Sequence, residues 1–110
     1  MSFELACGDS TFPLLSHAMA LAVIADLEIE AVDICAFPNS NHLTPERVHE
    51  DPAAAAREVH ERVQRAGLRV ADVFTLLSGS FEELAVNHPD ETVRAESRRR
   101  FESTLQFAGA

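Results

Sequence analysis

The chain has 110 residues, enough for one small domain, and carries eighteen acidic against nine basic side chains for a formal charge of −9. That balance argues against nucleic acid or an anionic membrane surface as the main partner. All nine basic residues are Arg, so no lysine Schiff base can form within this segment.

In chain order, Phe3-Glu4-Leu5-Ala6-Cys7 reads as a strand and Gly8-Asp9-Ser10-Thr11-Phe12-Pro13 as a turn-rich loop. Ser16 is placed to cap a heavily buried helix with apolar positions at Met19, Val23 and Leu27. The run from Ala31 to Phe37 predicts a second strand. The longest loop follows, Pro38-Asn39-Ser40-Asn41-His42-Leu43, closed by Thr44-Pro45, a cap with proline at the first helical position. Pro52 ends that short helix. Asp51 then caps the next one, whose inner face is Ala56, Val59, Val63 and Ala66 and which Gly67 terminates. Glu58 with Arg62, and Glu61 with Arg65, have the favourable i, i+4 order of a solvated face.

A third strand runs from Leu68 through Phe74 and is expected to end near Leu76-Leu77. Ser80-Phe81-Glu82-Glu83 matches a capping box, which predicts a short helix before Asn87-His88-Pro89. Asp90 caps the last helix, with Val93, Ser97, Phe101, Leu105 and Ala108 as its inner stripe. Its pattern is still strong at Ala110, which suggests that the native chain continues.

Strand, loop and helix thus recur three times, which is how parallel βα units read. The expected fold class is α/β: a partial (β/α)8 TIM barrel, three βα units with parallel strands centred near Leu5, Val32 and Val70, in order 1-2-3 and not closed. A complete barrel needs about 250 residues. Cys7 and Cys35 fall in strands and read as reduced, inert small hydrophobes. The amino terminus lacks a secretory pattern and the longest apolar stretch, Ala18 to Ala25, is far short of a membrane span, so a cytoplasmic setting is expected.

In barrels and open α/β sheets, functional residues gather in the loops after the carboxyl ends of the strands. That rule selects Asp9, Ser10 and Thr11; then Asn39, Asn41 and His42; then Ser78, Ser80, Asn87 and His88. The first group also fits plain turn and capping chemistry. His42 and His88 stand out because imidazole bonds, ligates and exchanges protons near neutral pH. His17, His49 and His60 lie on or beside covering helices and read as structural or solvated. Neither His-x-x-x-His nor Cys-x-x-Cys spacing occurs, so no metal site is expected in this chain alone, and no glycine-rich phosphate loop is present. Arg98-Arg99-Arg100 spread around a helix and do not form one anion site.

Several segments in this order carry a resemblance. They are Ala31-Val32-Asp33-Ile34, Asp51-Pro52-Ala53-Ala54-Ala55, Ala66-Gly67-Leu68-Arg69-Val70-Ala71-Asp72-Val73-Phe74, and Asn87-His88-Pro89-Asp90 with Val93-Arg94 and Phe101. Together they resemble the amino-terminal part of the sugar phosphate isomerase/epimerase family, the xylose-isomerase-like barrels, which also include apurinic endonucleases. The resemblance implies metal-assisted proton transfer on a small hydroxy-carbonyl compound, a sugar or sugar phosphate, through an enediolate. It implies one divalent ion (Mn, Mg or Co) held by two glutamates, an aspartate and a histidine on later strands, none of which maps onto this chain. It implies a substrate-binding rim of Asp9, Thr11, His42, Asn87 and His88, with a homo-oligomer among the assemblies allowed. Glu28-Ile29-Glu30 departs from the family, which often has glycine there. The alternatives are an apurinic-site endonuclease-like barrel, against which the charge of −9 argues, and a non-catalytic flavodoxin-like binding domain.

Overall fold

The computed structural model describes residues 3–110. Three strands, β1 (Ala6–Gly8), β2 (Ala31–Ala36) and β3 (Arg69–Thr75), form an open parallel sheet in the order β1-β2-β3. Four helices complete a mixed α/β chain: α1 (His17–Asp26), α2 (Pro45–Glu50), α3 (Pro52–Arg65) and α4 (Glu91–Gly109). None of the described helices is long and apolar enough to cross a membrane.

The helix boundaries follow local chemistry. Ser16, Thr44, Asp51 and Asp90 each accept a backbone N–H from the first turn of their helix, and Pro45 and Pro52 occupy first-turn positions where no donor is needed. Gly67, at φ 75°, takes the left-handed step that ends α3. Glu28 takes the same step after α1 at φ 62°, in the segment where the resembling family often has glycine.

Central β2 is buried from end to end except for half-buried Asp33. Its Val32, Ile34 and Ala36 share a core with Leu21 and Ile24 of α1, Val59 and Val63 of α3, and Phe107 of α4. β3 is the thinly covered side: one extra residue, Ala71, bulges out between the pairs Val32↔Val70 and Asp33↔Asp72, and Val70 and Phe74 remain exposed.

Several expectations are corrected. β1 begins only at Ala6, leaving Phe3 and Leu5 outside it and exposed, because β2 starts at Ala31 and earlier residues have no strand beside them. The end of β3 is not among them: the strand closes at Thr75 with the Leu76 N–H still bonded to the Ala36 carbonyl, as an end near Leu76-Leu77 requires. The inner face of α1 is His17, Ala20, Leu21 and Ile24, whereas Met19 and Leu27 are more than half exposed. In α4 the buried residues are Ser97, Ser103, Thr104 and Phe107, while Phe101 and Leu105 face out. α4 sits on α2 and α3, and a 2.8 Å bond between His49 Nδ1 and Ser103 Oγ sets that rotation. Ser80 does accept the N–H groups of Glu82 and Glu83, but the segment stays a series of turns, too short before Pro89 to repay helix nucleation. Glu58 pairs with Arg47 at 2.7 Å, not with Arg62.

Candidate functional site at the ends of β1 and β2

β1 stops at Gly8, opposite Asp33, while β2 runs three residues further. The N–H of Cys35 therefore lacks a backbone acceptor on the β1 side, and the carboxylate of Asp9 supplies one: Oδ1 accepts it at 3.0 Å. Asp9 is fully buried, and its other oxygen, Oδ2, lies 2.9 Å from Nε2 of His17. A buried carboxylate survives only with both oxygens satisfied, and here one strand and one helix satisfy them.

His17 is the first residue of α1, fixed there by the Ser16 cap and 4% exposed. Its second nitrogen, Nδ1, lies 3.4 Å from Nη1 of Arg62 on α3. Because guanidinium can only donate, this contact leaves the His17 proton on Nε2, aimed at Asp9. His42 arrives from the loop after β2, its backbone N–H held by Ser40 Oγ at 3.0 Å and its Nε2 2.9 Å from the Leu15 carbonyl. Asn41 adds a bond from Nδ2 to the Pro13 carbonyl at 3.2 Å, so the second loop is stitched across the first. The rings of His17 and His42 then lie 5.0 Å apart and 19° from parallel.

Among the described residues, Asp9, His17 and His42 form the one cluster whose donor atoms could share a metal ion, all lying within 4.8 Å of one another. Beside it is a groove of about 450 Å³ lined by Ser10, Pro13, Leu14, Phe37, Asn41 and His42. Cys35 borders the cluster as an inert group: burial pushes its thiol up from the ordinary value, against smaller opposing hydrogen bonds from Ser10.

The structure thus brings together Asp9, Ser10, Asn41 and His42 of the sequence-selected residues, with Asp9 beneath the groove and not on its wall. Thr11 is exposed and its hydroxyl faces the Cys7 thiol at 3.7 Å, and Asn39, at φ 59°, makes the turn of the second loop and lines the groove. Ser78, Ser80, Asn87 and His88 do not line this groove. Ser78 donates to the Ser80 carbonyl, and His88 Nδ1 accepts the Asp90 N–H at 3.0 Å. Arg94 reaches back to the His88 and Pro89 carbonyls. His17 is the residue that sequence reasoning set aside. Its signal was an Asp directly after a strand followed by a His at the first position of the next helix.

One carboxylate and two imidazoles do not fit the oxygen-rich set of two glutamates, an aspartate and a histidine that the family resemblance implies. They suit a borderline ion such as zinc better than magnesium or manganese. No family model, curated protein or solved structure matches the chain.

Proposed function

We propose that this chain is the opening of a xylose-isomerase-like (β/α)8 barrel, and that the groove at the ends of β1 and β2 holds the hydroxyls of a small sugar or sugar phosphate during isomerisation or epimerisation. The observation that carries the reading is the convergence of two strand-end loops on one groove presenting hydroxyl, amide and imidazole groups. A sheet ordered 1-2-3 agrees with successive barrel units and differs from the 2-1-3 order of a flavodoxin-like domain. The apurinic-endonuclease alternative calls for a basic groove, and no Arg lines this one.

The part these residues play is binding and orientation. His42 gives its Nε2 proton to Leu15 and so keeps a lone pair on Nδ1 to accept a substrate hydroxyl. Ser10 and Asn41 offer neutral polar groups beside it, and Leu14 and Phe37 supply apolar walls for a sugar's carbon face. The divalent ion and proton-moving glutamates of such an enzyme belong to other parts of the barrel. In the native full-length polypeptide, His42→Ala should lower kcat/KM for the sugar by about threefold to tenfold, the cost of one neutral hydrogen bond. His60→Ala, on the exposed side of α3, should leave it unchanged. Equal kinetics for the two variants, or no turnover of any aldose, ketose or their phosphates, would defeat the reading.

A further inference from the structure

We propose that Asp9, His17 and His42 form a binding site for a single zinc-type divalent ion, with its fourth position open to the groove. The site differs in donor set from the ion the isomerase reading implies. It would take the His42 Nδ1 lone pair that otherwise accepts a substrate hydroxyl, and that hydroxyl would then meet the ion's open position instead. Three observations point to it. Donor atoms of all three side chains lie within 4.8 Å of one another, and Asp9 and His17 are buried. The two rings are also neighbours, stacked 5.0 Å apart and 19° from parallel, so a turn of the His42 side chain would aim both at one ion.

The outer contacts are those of metal ligands. A ligating histidine usually gives its other ring proton to a carbonyl, and a ligating carboxylate is itself hydrogen-bonded. His42 donates from Nε2 to Leu15, which leaves Nδ1 for the ion, and Asp9 Oδ1 is held by Cys35 N–H, which leaves Oδ2. His17 must coordinate through Nε2. The proton now on Nε2 moves to Nδ1, so the ring stays neutral and Arg62, a donor facing that nitrogen at 3.4 Å, swings away. Arg62 therefore competes with the ion. His42 lines the groove, from which a water or an anionic or hydroxylated ligand can complete the coordination.

The test is titration of the purified chain with zinc chloride by calorimetry and with cobalt chloride by visible absorption. The expected result is one ion per chain with micromolar affinity or better, and the intense absorption of tetrahedral cobalt. His42→Ala should weaken binding at least tenfold, and His60→Ala should not change it. Arg62→Gln, which replaces the competing donor by an amide oxygen able to accept the Nδ1 proton, should tighten it several-fold. His42 is only partly buried, so His42→Ala should fold, and unchanged circular dichroism confirms this before titration. Absence of stoichiometric binding, or affinity equal in His42→Ala and the parent chain, overturns the site. Unchanged or weaker binding in Arg62→Gln overturns coordination through His17 Nε2.

Discussion

The loops after β1 and β2 and the loop after β3 occupy equivalent places in their βα units, yet they are built by different bonds. Asp9 to Cys35, His42 to Leu15 and Asn41 to Pro13 join residues 26 to 28 positions apart, and Arg62 reaches His17 across 45. Around Ser78, Ser80, His88 and Asp90 every side-chain bond spans two to six positions. Long-range bonds hold the chemistry-bearing groups of the first region in one arrangement. Short-range bonds shape each turn of the second without bringing its Asn and His to a common point.

The sharpest way to break this contrast is at Asp9. Asp9→Ala would leave the Cys35 N–H and the His17 ring proton buried without acceptors, and should cost about 3 to 5 kcal/mol of stability. His88→Ala, in the second region, should stay within about 0.5 kcal/mol. Urea unfolding of the two variants measures both, and similar losses would erase the distinction between the regions.

Next come the helices that follow each region. Leu21 of α1 is fully buried, so Leu21→Ala should cost about 2 to 5 kcal/mol in the same assay. Phe101 of α4 is 49% exposed despite its place in the apolar pattern, and Phe101→Ala should cost about 1 kcal/mol or less. A larger loss at Phe101 than at Leu21 would reverse the rotation assigned to α4.

A smaller effect is expected at the turn joining the first unit to the second. Glu28 holds a left-handed conformation that costs a non-glycine residue about 1 to 2 kcal/mol, partly offset by the greater unfolded-state freedom of glycine. Glu28→Gly should therefore raise stability by about 0.5 to 1 kcal/mol, read as a higher unfolding midpoint; a lower midpoint would contradict the strain.

The smallest effect belongs to α4. Arg100 and then Arg99 hold the Glu96 carboxyl below its ordinary range, with contacts of 2.9 and 2.5 Å. A depressed folded-state value means that the contribution is present at neutral pH, above the unfolded value, and is lost as pH falls through the folded one. Glu96→Gln should lower Tm slightly at pH 7, and the difference should close on acidification toward pH 3. A gap that widens toward low pH would invert the sign.

What the sequence determined by itself was whatever closes within a turn or repeats along one element. Ser16, Thr44-Pro45, Asp51-Pro52, Gly67 and Asp90 marked their helix ends because a cap needs only its own first or last turn, and three apolar runs between helices marked three parallel strands. The capping box at Ser80 shows the limit of that logic, since the Ser80 hydroxyl accepts the Glu82 and Glu83 N–H groups and no helix follows. The apolar spacing of α3 also marked its inner face, with Val59 and Val63 buried and Ala56 and Ala66 against the core, but tertiary structure alone decided which faces α1 and α4 turned inward. α1 offers apolar side chains nearly all round, and α4 is rotated by its seat on α2 and α3 and by the bond from His49 to Ser103. It also decided the pairing of Asp9 with His17 and of Arg62 with His17 instead of Glu58. Such contacts join residues that become neighbours only when β1 stops short of β2 and an unpaired N–H at Cys35 must find an acceptor, a demand set by the sheet and not by any local run of residues.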